Sequence, residues 1–336
     1  MPSLVLQTSF LGDTVLTTPL IAHLATSDVV DVLAIPASAA LLENHPRIRE
    51  VLVYDKRGAD SGASGFMRVA RMLRTRKYSS VYLCQGSVRS GALVWAARIP
   101  ERVGFSTSAG RSFYTVRVPY FDNMHHAARL LSLGMRNAES EPSREALRPR
   151  LYPGDKERSA VDAALARARV ATGEPFVALA PGSVWATKRW PYYPELAKSL
   201  APRTRLVIVG SSADTPLAHA IVDAAPGRVV DVTGQLSLLA SAELIGRAKA
   251  IVTNDSAPLH LASAMGTPTV AVFGPTVPEF GFGPLAQQAE IVGHTSLACR
   301  PCDRHGPQRC PLGHWRCMRE ITPQAVADLV RRLLPP

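Results

Sequence analysis

Short runs of Val, Leu and Ile recur between amphipathic segments along the whole chain, and this alternation restricts the fold more than any other feature. A strand that returns through a helical crossover pairs in parallel with its predecessor. Parallel sheets are buried on both faces, so their strands read as nearly continuous apolar runs. In the first half such runs fall at residues 4–7, 29–35, 51–54, 81–84 and 116–118, with helical segments including 14–25 and 65–76 between them. Around residues 138–154 the chain turns polar and proline-containing, which fits a connector. A second series follows at 176–180, 206–209, 229–232, 250–253 and 269–273. The pattern predicts an α/β protein of two Rossmann-like, doubly wound domains, residues 1–150 and 151–336, with no solenoid repeat.

Composition agrees with two cores. The chain has 336 residues, 46% of them hydrophobic, which exceeds what one domain of ordinary size needs. Charges or prolines interrupt every apolar run before the roughly 18 residues of a membrane span. The N-terminus shows no basic, apolar and small-residue signal order, so a cytoplasmic protein is expected. The formal charge is +11, which calls for an anionic partner such as a nucleic acid, a phosphorylated lipid or a nucleotide-activated substrate. Residues 1–150 carry 19 Lys or Arg against 12 acids, and the rest 19 against 15. The excess is therefore larger in the first half, where Lys56, Arg57, Arg68, Arg71, Arg74, Arg76 and Lys77 cluster.

In open α/β sheets, ligands sit beyond the carboxyl ends of the strands. The first such loop is Thr8-Ser9-Phe10-Leu11-Gly12-Asp13, with a helix following. Asp13 there is a helix N-cap or first-turn carboxylate, or a general base that takes a proton from a hydroxyl. Gly12 lets a substrate approach the backbone, but the three-glycine dinucleotide spacing is absent.

After the strand ending near Ala180 comes Pro181-Gly182-Ser183-Val184-Trp185-Ala186-Thr187-Lys188-Arg189-Trp190-Pro191. Hydroxyls at Ser183 and Thr187, together with the Lys188 cation, are what a diphosphate requires, while Trp190 reads as a core residue. The strand at 250–253 runs into Asn254-Asp255-Ser256-Ala257-Pro258-Leu259-His260. Pro258 suits a helix start, which would bind an anion; equally, Asp255 and Ser256 could simply cap that helix, and His260 could be a core histidine. Phe273-Gly274-Pro275-Thr276 closes the next strand. Four loops of this chemistry together point to a nucleotide-sugar site.

Cys299, Cys302, Cys310 and Cys317 crowd one basic stretch, whereas Cys84 lies apart. A structural zinc on these four thiols is one expectation. An unmetallated thiol cluster is another, His305 and His314 offer alternative ligands, and disulfides are disfavoured in a reducing cytosol.

Taken in order, Gly12-Asp13 with Thr18-Pro19, Lys188-Arg189-Trp190-Pro191, Asp255-Ser256 with His260, and Cys299-Arg300-Pro301-Cys302 through Cys310-Pro311-Leu312-Gly313-His314 resemble family-9 glycosyltransferases. These are the ADP-heptose:lipopolysaccharide heptosyltransferases, and the late cysteine segment looks like the branch that adds the second heptose. The resemblance implies a GT-B fold, with an acceptor domain, a donor domain and a central cleft, and an inverting single displacement that needs no cofactor. It implies ADP-heptose as donor and a phosphorylated Kdo/heptose lipid A acceptor at the inner membrane face, with the protein cytoplasmic and peripheral. Carried onto this chain, Asp13 is the base, and Gly12, Lys56 and Arg57 face the acceptor. Lys188 sits beside the diphosphate, with Ser183, Thr187, Asp255, Ser256, Ala257 and His260 around the donor. Two departures stand out. Ala257-Pro258 replaces the usual Gly, and Gly210-Ser211-Ser212-Ala213-Asp214 replaces a Glu-bearing loop, which leaves Ser212 or Asp214 for the nucleoside.

The rival enzymes are an epimerase, or a transferase with another sugar or acceptor on the same fold. The rival from another class is a nonenzymatic zinc-knuckle protein that binds nucleic acid. An aromatic content of 6% and the lack of a recognised finger count against it, so no nucleic-acid partner is expected.

Overall fold

The structure, a computed structural model, describes residues 2–136 and 142–334. It divides into two compact units, Met1–Tyr152 and Pro153–Pro336. Part of the polar connector expected over 138–154 lies outside the described residues.

The first unit runs β1 (Pro2–Gln7), α1 (Leu11–Leu24), β2 (Val29–Ala34), α2 (Pro36–Leu41), β3 (Glu50–Val53), α3 (Gly62–Thr75), β4 (Ser80–Leu83), α4 (Val88–Ala96), β5 (Glu101–Phe105), β6 (Val116–Val118) and α5 (His126–Met135). The second runs α6 (Asp155–Arg167), β7 (Phe176–Ala180), α7 (Tyr193–Leu200), β8 (Arg205–Ile208), α8 (Thr215–Ala224), β9 (Val229–Asp231), α9 (Leu238–Arg247), β10 (Ala250–Asn254), α10 (Ala257–Met265), β11 (Thr269–Phe273), β12 (Ala289–Gly293), α11 (Arg316–Arg319) and α12 (Pro323–Leu333).

Both sheets are six-stranded and parallel, ordered β3-β2-β1-β4-β5-β6 and β12-β11-β10-β7-β8-β9. Counted from its own first strand, each has the same order, that of a doubly wound dinucleotide-type sheet. Strand order reverses between β1 and β4 in one unit and between β7 and β10 in the other. Those two switch points are where the fold leaves a crevice for a ligand.

The apolar runs become strands because both faces are covered. In the first unit Leu4, Leu6, Leu33, Val81 and Leu83 meet Val69 and Leu73 of α3 and Leu93 and Val94 of α4. In the second, Val177, Leu179, Ile208, Val252 and Val270 meet Leu196 of α7 and Val326 and Val330 of α12. α1 is buried along most of its length despite Pro19 in its interior. Proline lacks the N–H that would reach the Val15 carbonyl. The Thr18 hydroxyl donates to that carbonyl at 2.8 Å, so the acceptor is satisfied. Among the described residues, no helix is long and apolar enough to cross a membrane.

The structure differs from expectation at several elements, and α3 as well as α1 starts three residues early. β5 and β12 were not anticipated, because β5 opens on Glu101-Arg102 and contains Gly104, and β12 is an edge strand of intermediate and exposed residues. Gly104 is required there: a Cβ would come within 2.3 Å of the Tyr114 ring. α1 starts at Leu11 rather than at residue 14, so Gly12 and Asp13 belong to its first turn.

Candidate active site

At the first switch point, only Thr8, Ser9 and Phe10 separate β1 from α1. Phe10 takes the N-cap position and contributes no side-chain cap. Asp13 is the acidic group of the first turn, where the exposed amides and the helix dipole favour negative charge. The Ser9 hydroxyl lies 2.5 Å from Asp13 Oδ2 and 2.9 Å from Gln7 Oε1. Gln7 is held in turn by its amide donating to Thr17 Oγ1 at 3.0 Å. His126, the first residue of α5, places Nε2 3.7 Å from Asp13 Oδ1, and the two side chains are 13% and 19% exposed. The carboxylate is therefore oriented from one side and reachable from another, as a general base must be.

Cations approach the same loop from β3. Lys56 Nζ donates to the Thr8 carbonyl at 2.7 Å. Burial lowers its pKa from the ordinary lysine value, and the neighbouring Arg57 and Arg89 push the same way. Across the switch point, Gln85 after β4 donates to Thr8 Oγ1 at 2.9 Å. Arg89 anchors the start of α4 by donating to the Tyr54 hydroxyl at 2.7 Å. Lys56 thus touches the Asp13 loop, with Arg57 next to it in the chain and Arg89 as a third cation that the sequence reading missed.

At the second switch point the loops are locked to each other. Lys188 Nζ donates to Asp255 Oδ2 at 2.6 Å, and both side chains are 10% exposed. Thr276 Oγ1 donates to the same oxygen, also at 2.6 Å. Asn254 ties the two loops together. Its Oδ1 accepts from Trp190 N at 3.2 Å, and its Nδ2 donates to the Pro181 carbonyl at 2.8 Å. Trp190 is a core residue whose Nε1 reaches the Ile321 carbonyl at 3.0 Å. Ser256 occupies the N-cap of α10 without a side-chain cap, and Pro258 sits in the first turn. Capping is therefore not what Asp255 and Ser256 do here. The uncapped helix start keeps its amides for an anion. His260 is buried, with Phe282 edge-on to it at 6.3 Å.

Other expected donor residues divide into two kinds. Ser183 Oγ accepts from Trp185 N at 3.3 Å, which leaves its own proton for a phosphate oxygen. The Thr187 hydroxyl donates to the Pro307 carbonyl, so it fastens the loop and cannot donate to phosphate at the same time. Ser212 opens a short 3-10 turn after β8, with its Cα 3.0 Å from the position of a Cβ at Gly234. Asp214 is committed to its own turn, accepting from Ser211 N and Oγ at 2.8 Å each. Its carboxylate fills the space beside Gly182, where a Cβ would lie 2.3 Å from Oδ1.

Residues 66–313, well over half of the chain, match the sequence profile of glycosyltransferase family 9 (heptosyltransferase). The chain belongs to that family. It is an enzyme, a glycosyltransferase, and the nonenzymatic nucleic-acid-binding alternative falls. It is 27% identical over 357 residues to lipopolysaccharide heptosyltransferase 2 of Salmonella typhimurium, with 99% of each chain covered. The likeness thus extends over the Asp13 loop that precedes the profile match. The structure of E. coli ADP-heptose LPS heptosyltransferase II superposes with a TM-score of 0.80 at 23% identity, covering 99% of this chain and 98% of the other. A family-9 glycosyltransferase from Veillonella parvula gives 0.87 at 22%, covering 99% and 96%. The fold is GT-B.

The cysteine segment of this glycosyltransferase packs over the Lys188 loop. Gln308 accepts from Ala186 N at 3.1 Å and donates to the Val184 carbonyl at 3.0 Å. Gly306 is left-handed, φ +82°, and a Cβ there would stand 3.3 Å from Lys188 Cε. Arg300 donates to the carbonyls of Phe273, Gly274, Thr276 and His294, which closes the end of β11. Among the described residues, no group of three or more His, Cys, Asp or Glu is arranged to hold an ion. Cys299 Sγ stands 3.8 Å from His314 Nε2, and Cys302 Sγ donates to the Cys299 carbonyl at 3.2 Å. His126 escaped the sequence reading, whereas Asn254, Thr276 and Arg300 stood in its loops without a role of their own. Asn254 and Arg300 could have been suspected from their places, one closing a strand before Asp255 and the other between Cys299 and Pro301.

Proposed function

We propose that this glycosyltransferase moves heptose from ADP-heptose to the inner core of lipopolysaccharide, adding the second heptose to a phosphorylated Kdo/heptose lipid A acceptor at the cytoplasmic face of the inner membrane. The carrying observation is chemical complementarity at the two switch points. One offers an oriented, reachable carboxylate beside cations; the other offers a lysine, a free hydroxyl proton and an uncapped helix start. The full-length likeness to a lipopolysaccharide heptosyltransferase 2 supports the choice of sugar and acceptor.

In this scheme Asp13 takes the proton of an acceptor hydroxyl as its oxygen attacks the anomeric carbon. The bond from that carbon to the diphosphate oxygen breaks, ADP departs with the electron pair, and configuration inverts. Lys188, Ser183 and the start of α10 meet the charge that builds on the diphosphate, the electrostatic role a divalent ion plays in other transferases. Ser256, Ala257 and His260 line the sugar side, and Ser212 the nucleoside side. Lys56 and Arg57 hold the anionic groups of the acceptor. Turnover is expected to survive EDTA.

The test is lipid mass after incubation with ADP-heptose and three acceptors: Kdo2-lipid A, its monoheptosylated form, and none. One added heptose on the monoheptosylated lipid alone supports the reading. Transfer to the unheptosylated lipid reassigns the acceptor, and turnover on neither overturns the proposal.

A further inference from the structure

α3 and α4 lie side by side on one face of the first sheet, since Val69, Ala70 and Leu73 of one and Leu93, Val94 and Ala97 beside the other enter the same core. Their outward stripes share one helical spacing. On α3 the stripe is Met67, Arg71 and Arg74; on α4 it is Val88, Ala92 and Trp95, with Arg98 just beyond. Met67 is 41% exposed, Val88 53% and Trp95 60%. Large apolar groups on a surface are ordinary when scattered, but here each of two neighbouring helices carries them on its outward stripe.

The charge around them is one-signed. Residues 61–100 contain seven Lys or Arg and no Asp or Glu. Arg68 and Arg76 reach outside the stretch to pair with Asp60 and Glu50. Among the described residues, Arg71, Arg74, Lys77 and Arg98 form no ion pair with any acid. A solvated helix face would normally mix signs. An outward face that carries an exposed indole, its ring 6.2 Å from that of Phe113, together with guanidinium groups that pair with no acid instead matches the boundary between anionic headgroups and acyl chains, where the ring sits at headgroup depth and the cations meet phosphate. A nucleic acid would satisfy the cations but leave Met67 and Val88 without a partner.

The surface also leads to the acceptor side of the site. α4 begins directly after the β4 loop, Arg89 at its start rests over the Tyr54 and Phe66 rings, and Lys56 two residues beyond Tyr54 reaches Thr8. We infer that the outer faces of α3 and α4 form a docking surface for an anionic lipid bilayer, with Trp95, Val88 and Met67 entering the headgroup layer and Arg71, Arg74, Lys77 and Arg98 binding its phosphates. The inference deepens the proposed function and rests on its acceptor being a lipid; the surface itself can be tested without turnover.

The experiment is co-sedimentation of the full chain with phosphatidylglycerol-containing and pure phosphatidylcholine vesicles, at low and high salt, for wild type, Arg71→Glu/Arg74→Glu and Trp95→Ala. These side chains are exposed, so circular dichroism should confirm an unchanged fold. Wild type is expected to bind only the anionic vesicles and to be released by salt. The double reversal should lower binding at least about tenfold, and Trp95→Ala several-fold. A second readout is turnover on acceptor embedded in vesicles against its deacylated, water-soluble oligosaccharide, where both variants should lose rate only on the former. Equal binding to neutral vesicles, unchanged binding by the variants, or tight RNA binding without vesicle binding overturns the inference. If wild type binds vesicles but turns over neither acceptor, the proposed function fails and the docking surface stands.

Discussion

The two switch points share a topology and differ in how firmly their charged groups are held. In the first unit, Asp13 accepts from the Ser9 hydroxyl at 2.5 Å and stands 3.7 Å from the His126 imidazole, with its side chain 19% exposed. In the second, Lys188 and Asp255 are 10% exposed, joined at 2.6 Å, and braced by Thr276 and by Asn254 next to them. The role proposed for Asp13, a base that changes protonation state and admits a hydroxyl, is compatible with that partial solvation. A diphosphate site gains from dipoles and charges fixed in advance, because groups that need not reorganise stabilise developing charge best. Buried pairs are weak contributors to stability while intact, but removing one partner strands the other in a poor dielectric.

The contrast breaks most sharply on rate. Asp13→Asn is expected to lower kcat by about 10²–10⁴-fold, the range for a lost general base, with unfolding free energy changed by less than about 0.5 kcal/mol. Steady-state ADP release and denaturant melts check both halves. A rate within tenfold of wild type would remove Asp13 from the chemistry.

Lys188→Ala should do the converse and reduce stability by about 3–5 kcal/mol, because Asp255 is left buried without its cation. Urea melts measure this, and Lys188→Ala/Asp255→Ala should recover much of the loss. A single variant as stable as wild type would mean that the second switch point is no firmer than the first.

Much of the architecture is legible in the sequence. The apolar runs that became β1, β4, β7, β10 and β11 are buried on both faces, and burial is what sequence records best. β5 and β12 were missed where charge or edge position dilutes that signal. Asp13 and Lys188 were legible as residue types at strand ends. Their partners were not, because Lys188 and Asp255 lie 67 positions apart and Thr187 and Pro307 lie 120 apart. A pattern gives chemistry at a position; only the fold says that Thr187 donates its proton to a carbonyl while Ser183 keeps its own.

A smaller effect sharpens the picture of Asp13. Ser9→Ala removes the hydroxyl that orients the carboxylate and should cost about 1 kcal/mol in the barrier, roughly a fivefold fall in kcat with KM little changed. A drop as large as that of Asp13→Asn would make Ser9 part of the proton transfer itself.

The smallest effect separates the cysteines. Burial raises Cys84 to about 12, with a hydrogen bond from Thr17 opposing. Burial also pushes Cys310 upward, but backbone hydrogen bonds from Trp315, Leu312, Gly313 and His314 outweigh it and hold the thiol below its ordinary value. Alkylation by iodoacetamide near neutral pH, followed by peptide mass mapping, should label Cys310 first and Cys84 last. Equal rates would mean that the turn around Cys310 is not formed in solution.

The division of labour itself is tested most directly by calorimetric titration of ADP into Asp13→Asn and Lys188→Ala side by side. Asp13→Asn is expected to bind ADP as wild type does while turnover is lost, and Lys188→Ala, folded under the same conditions, to bind it at least about tenfold more weakly. Weakened ADP binding in Asp13→Asn, or unchanged binding in Lys188→Ala, would contradict that division.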